Sequence, residues 1–76
     1  MKELIAGDIT PTDDGRWRLW LNRRGGVKAM TIWRFEQQRL ADQMLHLIED
    51  QHFEFDGPTI IFNEQDDALW GRLRWA

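Results

Sequence analysis

The chain contains no cysteine, no serine and no tyrosine, and only two prolines among its 76 residues. Each gap excludes something. Without cysteine there is neither a disulfide framework nor a thiolate metal site, so packing alone must hold the fold. A chain this short reads as one domain spanning residues 1–76, and it buries only about 60% of its unfolded surface. The absence of cysteine also fits a reducing compartment, and the protein reads as cytoplasmic. No apolar run approaches the ~20 residues needed to cross a bilayer, so no membrane partner is expected. The first eight residues, Met1 to Asp8, meet an acid too soon to hold the apolar stretch of a signal peptide. Without Ser, Cys or Tyr the usual activated nucleophiles are missing, and the four Thr have no adjacent base. His46 and His52 are six positions apart, about 240° around a helix, and cannot share a helical site. No glycine-rich loop opens a helix after a strand to cradle phosphate. The expectation is a non-enzymatic protein without a cofactor.

What is present is aromatic mass and segregated charge. Five Trp (17, 20, 33, 70 and 75) and four Phe give a small core much apolar area per residue, and Trp is also a favoured anchor in binding surfaces. The net charge of −3 conceals two blocks. Residues 16–39 carry seven Arg or Lys against the single acid Glu36, a net of +6, while residues 40–67 carry eight acids and no base, a net of −8. The overall acidity opposes indiscriminate nucleic-acid binding, but a local basic patch outweighs a mean.

Periodicity predicts an α+β fold, an antiparallel sheet of 4–5 strands with one helix packed on one face, in the order β-β-β-α-β-β. A first strand is expected around Glu3–Thr10, followed by the turn signal Pro11-Thr12-Asp13-Asp14-Gly15. Residues 16–22 and 27–33 flank Arg23-Arg24-Gly25-Gly26 and read as a hairpin. From Phe35 to about Gln51 the period becomes helical, with Leu40, Ala41, Met44, Leu45, Leu47 and Ile48 on an arc of roughly 160°. Gly57 and Pro58 lie beyond its end, and two further strands, about 59–63 and 68–75, follow around Glu64-Gln65-Asp66-Asp67.

Strand parity then sorts the side chains. Trp17, Leu19 and Leu21 share one face, joined by Met30 and Ile32 and, in the last hairpin, by Ile60, Phe62, Leu69, Leu73 and Trp75. That set is expected under the helix. Arg16, Arg18, Trp20 and Asn22 point the other way with Val27, Ala29, Thr31 and Trp33, and so do Ile61, Trp70, Arg72 and Arg74. With the hairpin-tip residues Arg23 and Arg24 and with Lys28, the predicted partner-binding set is Arg16, Arg18, Trp20, Arg23, Arg24, Lys28, Trp33, Trp70, Arg72 and Arg74. Such an interleaved surface offers a partner both stacking and charge. It is also open to cover by the N-terminal segment or a curled C-terminal hairpin, or by a second copy in a homodimer.

His52, Glu54 and Asp56 alternate with Phe53 and Phe55, so an extended segment would project all three to one side. Two Phe turned into a core account for that pattern without a metal. The run Asp14-Gly15-Arg16-Trp17-Arg18, Gly25-Gly26-Val27-Lys28 and Phe35-Glu36-Gln37-Gln38-Arg39-Leu40-Ala41 resembles the AP2-like arm-type DNA-binding domain of tyrosine integrases. Over residues 13–51 the resemblance implies a three-stranded sheet, backed by one helix, that reads DNA. The acidic last third and Met30 and Ile32 depart from that family's pattern. The rival reading, and the one the acidic balance favours, is a small regulatory or inhibitory protein that binds a protein partner, of the kind phages and other mobile elements encode. In that reading the acidic segment 42–67 competes with the basic hairpin 16–34 as the working surface. A third possibility is that the two charged halves neutralise each other within the fold.

Overall fold

The computed structural model describes residues 4–23, 29–44 and 53–76. In chain order the elements are β1 (Leu4–Pro11), β2 (Trp17–Arg23), α1 (Arg34–Met44), β3 (Phe53–Asp56), β4 (Thr59–Phe62) and α2 (Gln65–Arg74). The strands form one antiparallel sheet in the order β1-β2-β4-β3, so β2 and β4 are central. The class is α+β as the sequence predicts, with four strands and two helices among the described residues, in the order β-β-α-β-β-α.

Two hairpins build the sheet. Thr12 N donates to Arg16 O at 2.8 Å, Arg16 N donates to the Thr12 hydroxyl at 2.9 Å, and Gly15 takes the positive φ (85°) that closes the first turn. Asp56 pairs with Thr59 across Gly57-Pro58, with Gly57 at φ 59°. A positive-φ glycine before proline's fixed φ suits a type II′ hairpin turn. In β1 the register steps so that Gly7 and Asp8 together oppose Trp20. This bulge keeps Ala6 and Ile9, three residues apart, on the side of Leu21 and Leu19.

The expected strand at 27–33 does not form over residues 29–33, and residues 27 and 28 lie outside the described residues. β2 has β1 on one side and, along Trp17–Trp20, β4 on the other, so the segment reaches β2 only beyond Trp20, where Ala29 N donates to Leu21 O at 3.2 Å. The segment instead buries Ala29 and Ile32, three apart, and leaves Met30 exposed. Parity places Met30 in the core and Ala29 outside, and the structure reverses both. The strand neighbours of β2 are therefore not those of the hairpin 16–34, nor of the three-strand unit that the integrase-like resemblance implies.

The expected strand at 68–75 is the helix α2. Ala68, Gly71 and Trp75 are its buried positions, a spacing of three and four rather than two. Asp66 and Asp67 occupy its first turn, and Arg72 and Arg74 its last, an arrangement that complements the helix dipole. Leu69 and Leu73, expected in the core, are exposed, whereas Trp75 is buried as expected. Phe53–Asp56, read as a segment beyond the helix, forms the edge strand β3.

Leu19, Leu21, Ile60 and Phe62 of the central strands form the floor of the core, with Leu40 and Met44 of α1 and Ala68 and Trp75 in the same cluster. Trp17 is half-buried against it, on the expected side. α2 passes so close that a Cβ on Gly71 would stand 3.0 Å from Trp75 Cζ3 and 3.1 Å from Leu19 Cδ2. Gly71→Val is expected to lose about 1–3 kcal/mol by overpacking. Urea unfolding checks this, as a lowered midpoint with an unchanged slope.

Candidate functional site

The sheet face opposite the core carries Arg16, Arg18 and Trp20, as parity predicts. Register places Arg18 beside Ile61 and Ile61 beside Glu54, and one step along it places Trp20 beside Thr59 and Thr59 beside Asp56. Glu54 and Asp56 thus stand two strands from the arginines, about 9–10 Å away. That is within reach of an extended arginine but not of a shorter side chain. Arg16 Nη1 meets Glu54 at 2.5 Å and its Nε meets Asp14 at 2.9 Å. Arg18 Nη1 meets Asp56 at 2.9 Å and donates to the Thr59 hydroxyl at 2.8 Å. Between them Ile61 and Thr59 are buried on this outer face, consistent with arginine stems covering β4 while the guanidinium groups stay wet. Two arginines of the basic block and two carboxylates of the acidic block pair here.

An open cleft of about 530 Å³ lies along these pairs, lined by Thr12, Asp14, Arg16, Arg18, Glu54 and Asp56 among others. The Thr12 hydroxyl bonded to Asp14, and Arg16 beside it, hold the Asp14 carboxyl below its ordinary value. Glu54, with Asp14, raises that of Arg16. Trp20 is half-buried: its Nε1 donates to the Thr10 hydroxyl at 3.0 Å and the Arg18 guanidinium lies 5.9 Å from its ring centre.

The rest of the predicted set is scattered. Arg23 does not stand at an open tip. Its Nη1 and Nη2 clamp Glu36 at 2.5 and 3.0 Å, and Nη2 also donates to Thr31 O at 2.8 Å. Arg24, Lys28, His46 and His52 lie outside the described residues. Trp70 packs edge-on against Trp75, ring centres 5.6 Å apart, and is half-buried. Arg72 and Arg74 are exposed on α2 rather than on the sheet.

Trp33 is the member of the set that is both large and open, at 58% exposure, and it has neighbours that parity missed. Met30 is 88% exposed and Phe35 64%. Trp33 immediately precedes α1, and its backbone N–H donates to Glu36 Oε1 at 2.9 Å. Gln37 N donates to Trp33 O at 2.9 Å and begins the helix. This is the returning half of a capping box. The cap itself is a tryptophan where Ser, Thr, Asp or Asn is favoured, a local departure from helix chemistry of the kind found at working surfaces. That departure was the available sequence signal. Along the same stretch of chain Arg34 and Arg39 are exposed, while Glu36, the only acid from Ala29 to Ala41, is 5% exposed and engaged by Arg23. This stretch therefore exposes three large apolar side chains and two arginines, and no acid.

Arg23 holds the Glu36 carboxyl below its ordinary value, against burial, and the Trp33 N–H assists. Among the described residues no cluster of His, Asp and Glu stands ready to hold a metal, and no helix is long and apolar enough to cross a membrane. Compared with protein-family models, curated proteins and solved structures, the chain matches none.

Proposed function

We propose that this is a small non-enzymatic regulatory or inhibitory protein that acts in the cytoplasm by binding another protein, with Trp33 as the anchor of its contact surface. The observation that carries this reading is the exposure of Met30, Trp33 and Phe35 within six residues, at the start of α1, where Glu36 fixes the backbone. Trp, Phe, Met and Arg are the residue types enriched in protein interfaces. A Trp held by a capped helix end loses little conformational freedom on binding. The outer sheet face supports the reading less well, since Arg16 and Arg18 are engaged by carboxylates and Trp20 is half-buried. The contact surface thus moves from the sheet to the entry of α1.

The test starts from a partner recovered by affinity capture, purified and titrated against variants. Trp33→Ala with Phe35→Ala is expected to weaken binding by about 30-fold or more. The same variant should melt within a few degrees of the parent, because both side chains already face water. Arg16→Ala with Arg18→Ala should leave affinity within a few-fold. Equal loss in both variants would return the contact to the sheet face. Micromolar binding to mixed-sequence duplex DNA, falling with salt by several units of log–log slope, would replace the protein reading with the nucleic-acid one.

A further inference from the structure

The two outer strands of the sheet finish differently at their free edges. Leu21 N of β2 donates to Pro58 O at 3.3 Å, which sets the side that each residue of β4 faces. Backbone groups alternate sides along an antiparallel strand, so Ile60 and Phe62 bond β2 as Pro58 does, while Thr59 and Ile61 bond β3. Their partners there are Asp56 and Glu54. Phe53 and Phe55 therefore turn two N–H and two C=O groups away from the sheet, and among the described residues nothing pairs with them. The edge of β1, by contrast, is closed. Ala6 N donates to Trp75 O, Gly7 and Asp8 form a bulge, and Pro11 has no N–H to offer. Such devices keep an edge from pairing. Of them β3 has only its shortness, four residues, and charge of a single sign.

An unblocked edge takes an extended segment by strand addition, and the side chains beside it select the segment. On the outer face Glu54 and Asp56 keep 54% and 59% of their side-chain exposure. Arg16 and Arg18 reach them across β4, from the side away from the free edge. An ionised carboxylate has about four acceptor positions, so each has room for a second cation. The cleft along this face is lined by four carboxylates, Asp13, Asp14, Glu54 and Asp56, against two arginines. On the core face Phe53 and Phe55 are half-buried, edge to face at 6.0 Å, and leave an apolar rim. A second copy does not fit. Pairing β3 with itself within residues 53–56 sets Glu54 or Asp56 against an acid of the other copy, and like charges directly opposite are destabilising.

We infer that the free edge of β3 takes an extended segment of a partner protein in which basic and apolar residues alternate. The basic side chains lie beside Glu54 and Asp56, and the apolar ones beside Phe53 and Phe55. This edge shares no residue with the Trp33 surface, so it stands whether or not that reading does.

Amide exchange followed by NMR tests it on the full chain, with a peptide of Lys-Val repeated about four times as the probe, taken to about 2 mM. In the protein alone, the Phe53 and Phe55 amides should exchange at least about tenfold faster than those of Glu54 and Asp56. Saturating peptide should close that gap. Binding should weaken several-fold in high salt. A peptide with glutamate in place of lysine should bind at least about tenfold more weakly, and so should Glu54→Gln with Asp56→Asn towards the lysine peptide. That variant should melt within a few degrees of the parent, because both ion pairs are solvent-exposed. N-methylation of the valines, whose N–H groups face β3, should abolish binding, whereas N-methylation of the lysines should leave it within a few-fold. Protection of the Phe53 and Phe55 amides in dilute protein alone overturns the proposal, since the chain itself then covers the edge. Protection that grows with protein concentration also overturns it, because the occupant is then a second copy. So does binding that survives methylation of the valines, which would be charge without a ladder. Equal binding of the lysine and glutamate peptides, or none at the highest concentration, does the same.

Discussion

Trp75→Ala is expected to lower the melting temperature by about 20 °C, close to abolishing the fold at physiological temperature. The cost of removing a buried Trp is about 3–5 kcal/mol, set against the roughly 4–11 kcal/mol that holds a chain of this length. Each kcal/mol moves the midpoint of a small domain by about 4–8 °C. Trp75 sits where α2, α1 and β1 meet. Its ring lies over Gly71, edge-on to Trp70. Its Nε1 donates to Gln43 Oε1 of α1 at 2.9 Å. Its carbonyl accepts from Ala6 N of β1 at 2.8 Å, and its own N–H donates to Gly71 O. Truncation thus opens a cavity between the sheet and α2 and leaves Gln43 without its donor. Trp75→Phe narrows the cause, because it keeps an aromatic ring but loses the N–H and part of the ring's volume, for about 1–3 kcal/mol. Thermal unfolding followed by circular dichroism reads both. A shift below about 5 °C for Trp75→Ala would mean that the helices are held to the sheet by something other than this side chain.

The sequence exposed this core unevenly, and the reasons are physical. Alternation along β2 is enough to set Trp17, Leu19 and Leu21 against Arg16, Arg18 and Trp20, because period two is local and one face is buried. The first turn was legible for the same reason, since Thr12 to Gly15 carry their own turn chemistry. The period of residues 68–75 is ambiguous in the sequence. Leu69, Leu73 and Trp75 fit a strand's parity, but the buried set is Ala68, Gly71 and Trp75, two of them too small to announce a core. The acids before it and the arginines at its end carried the helix signal. The strand expected at 27–33 failed at a longer range. Nothing local to those residues says that β4 occupies the second edge of β2. The outer face depends on the same non-local pairing. Arg16 and Arg18 look like an open basic patch until β3 is placed two strands away, with Glu54 and Asp56 on the same side. Of the candidate site, strand parity turns Trp33 outward although its segment forms no strand, and the exposure of Met30 and Phe35 follows only from the helix start.

Glu36→Gln is expected to cost about 2 kcal/mol at neutral pH, and the cost should vanish in acid. The wild-type carboxylate accepts from two nitrogens of Arg23 and from Trp33 N–H while 5% exposed. A hydrogen bond to a charged group contributes about 1.5–3 kcal/mol, and breaking a fully buried pair costs more. Arg23 keeps 24% of its side-chain exposure and can turn to water, which holds the figure near the lower range. The Arg23 hydrogen bonds, helped by the Trp33 N–H, hold the Glu36 carboxyl below its ordinary value of 4.5, and burial does not reverse this. The folded protein therefore takes up that proton less readily than the unfolded chain. The stabilisation is fully present above the unfolded value and is lost as pH falls through the lower folded value. Urea midpoints should show a constant gap between wild type and Glu36→Gln from about pH 7 to 5, closing below about pH 4. A gap that persists unchanged to pH 3 would show that shape, not charge, holds Arg23 to α1. Glu36→Leu goes further, since it also removes the acceptor for Trp33 N–H. If Trp33 is the anchor, Glu36→Leu should weaken partner binding beyond what its loss of stability explains, while Glu36→Gln, which keeps an acceptor oxygen, should bind more nearly like wild type.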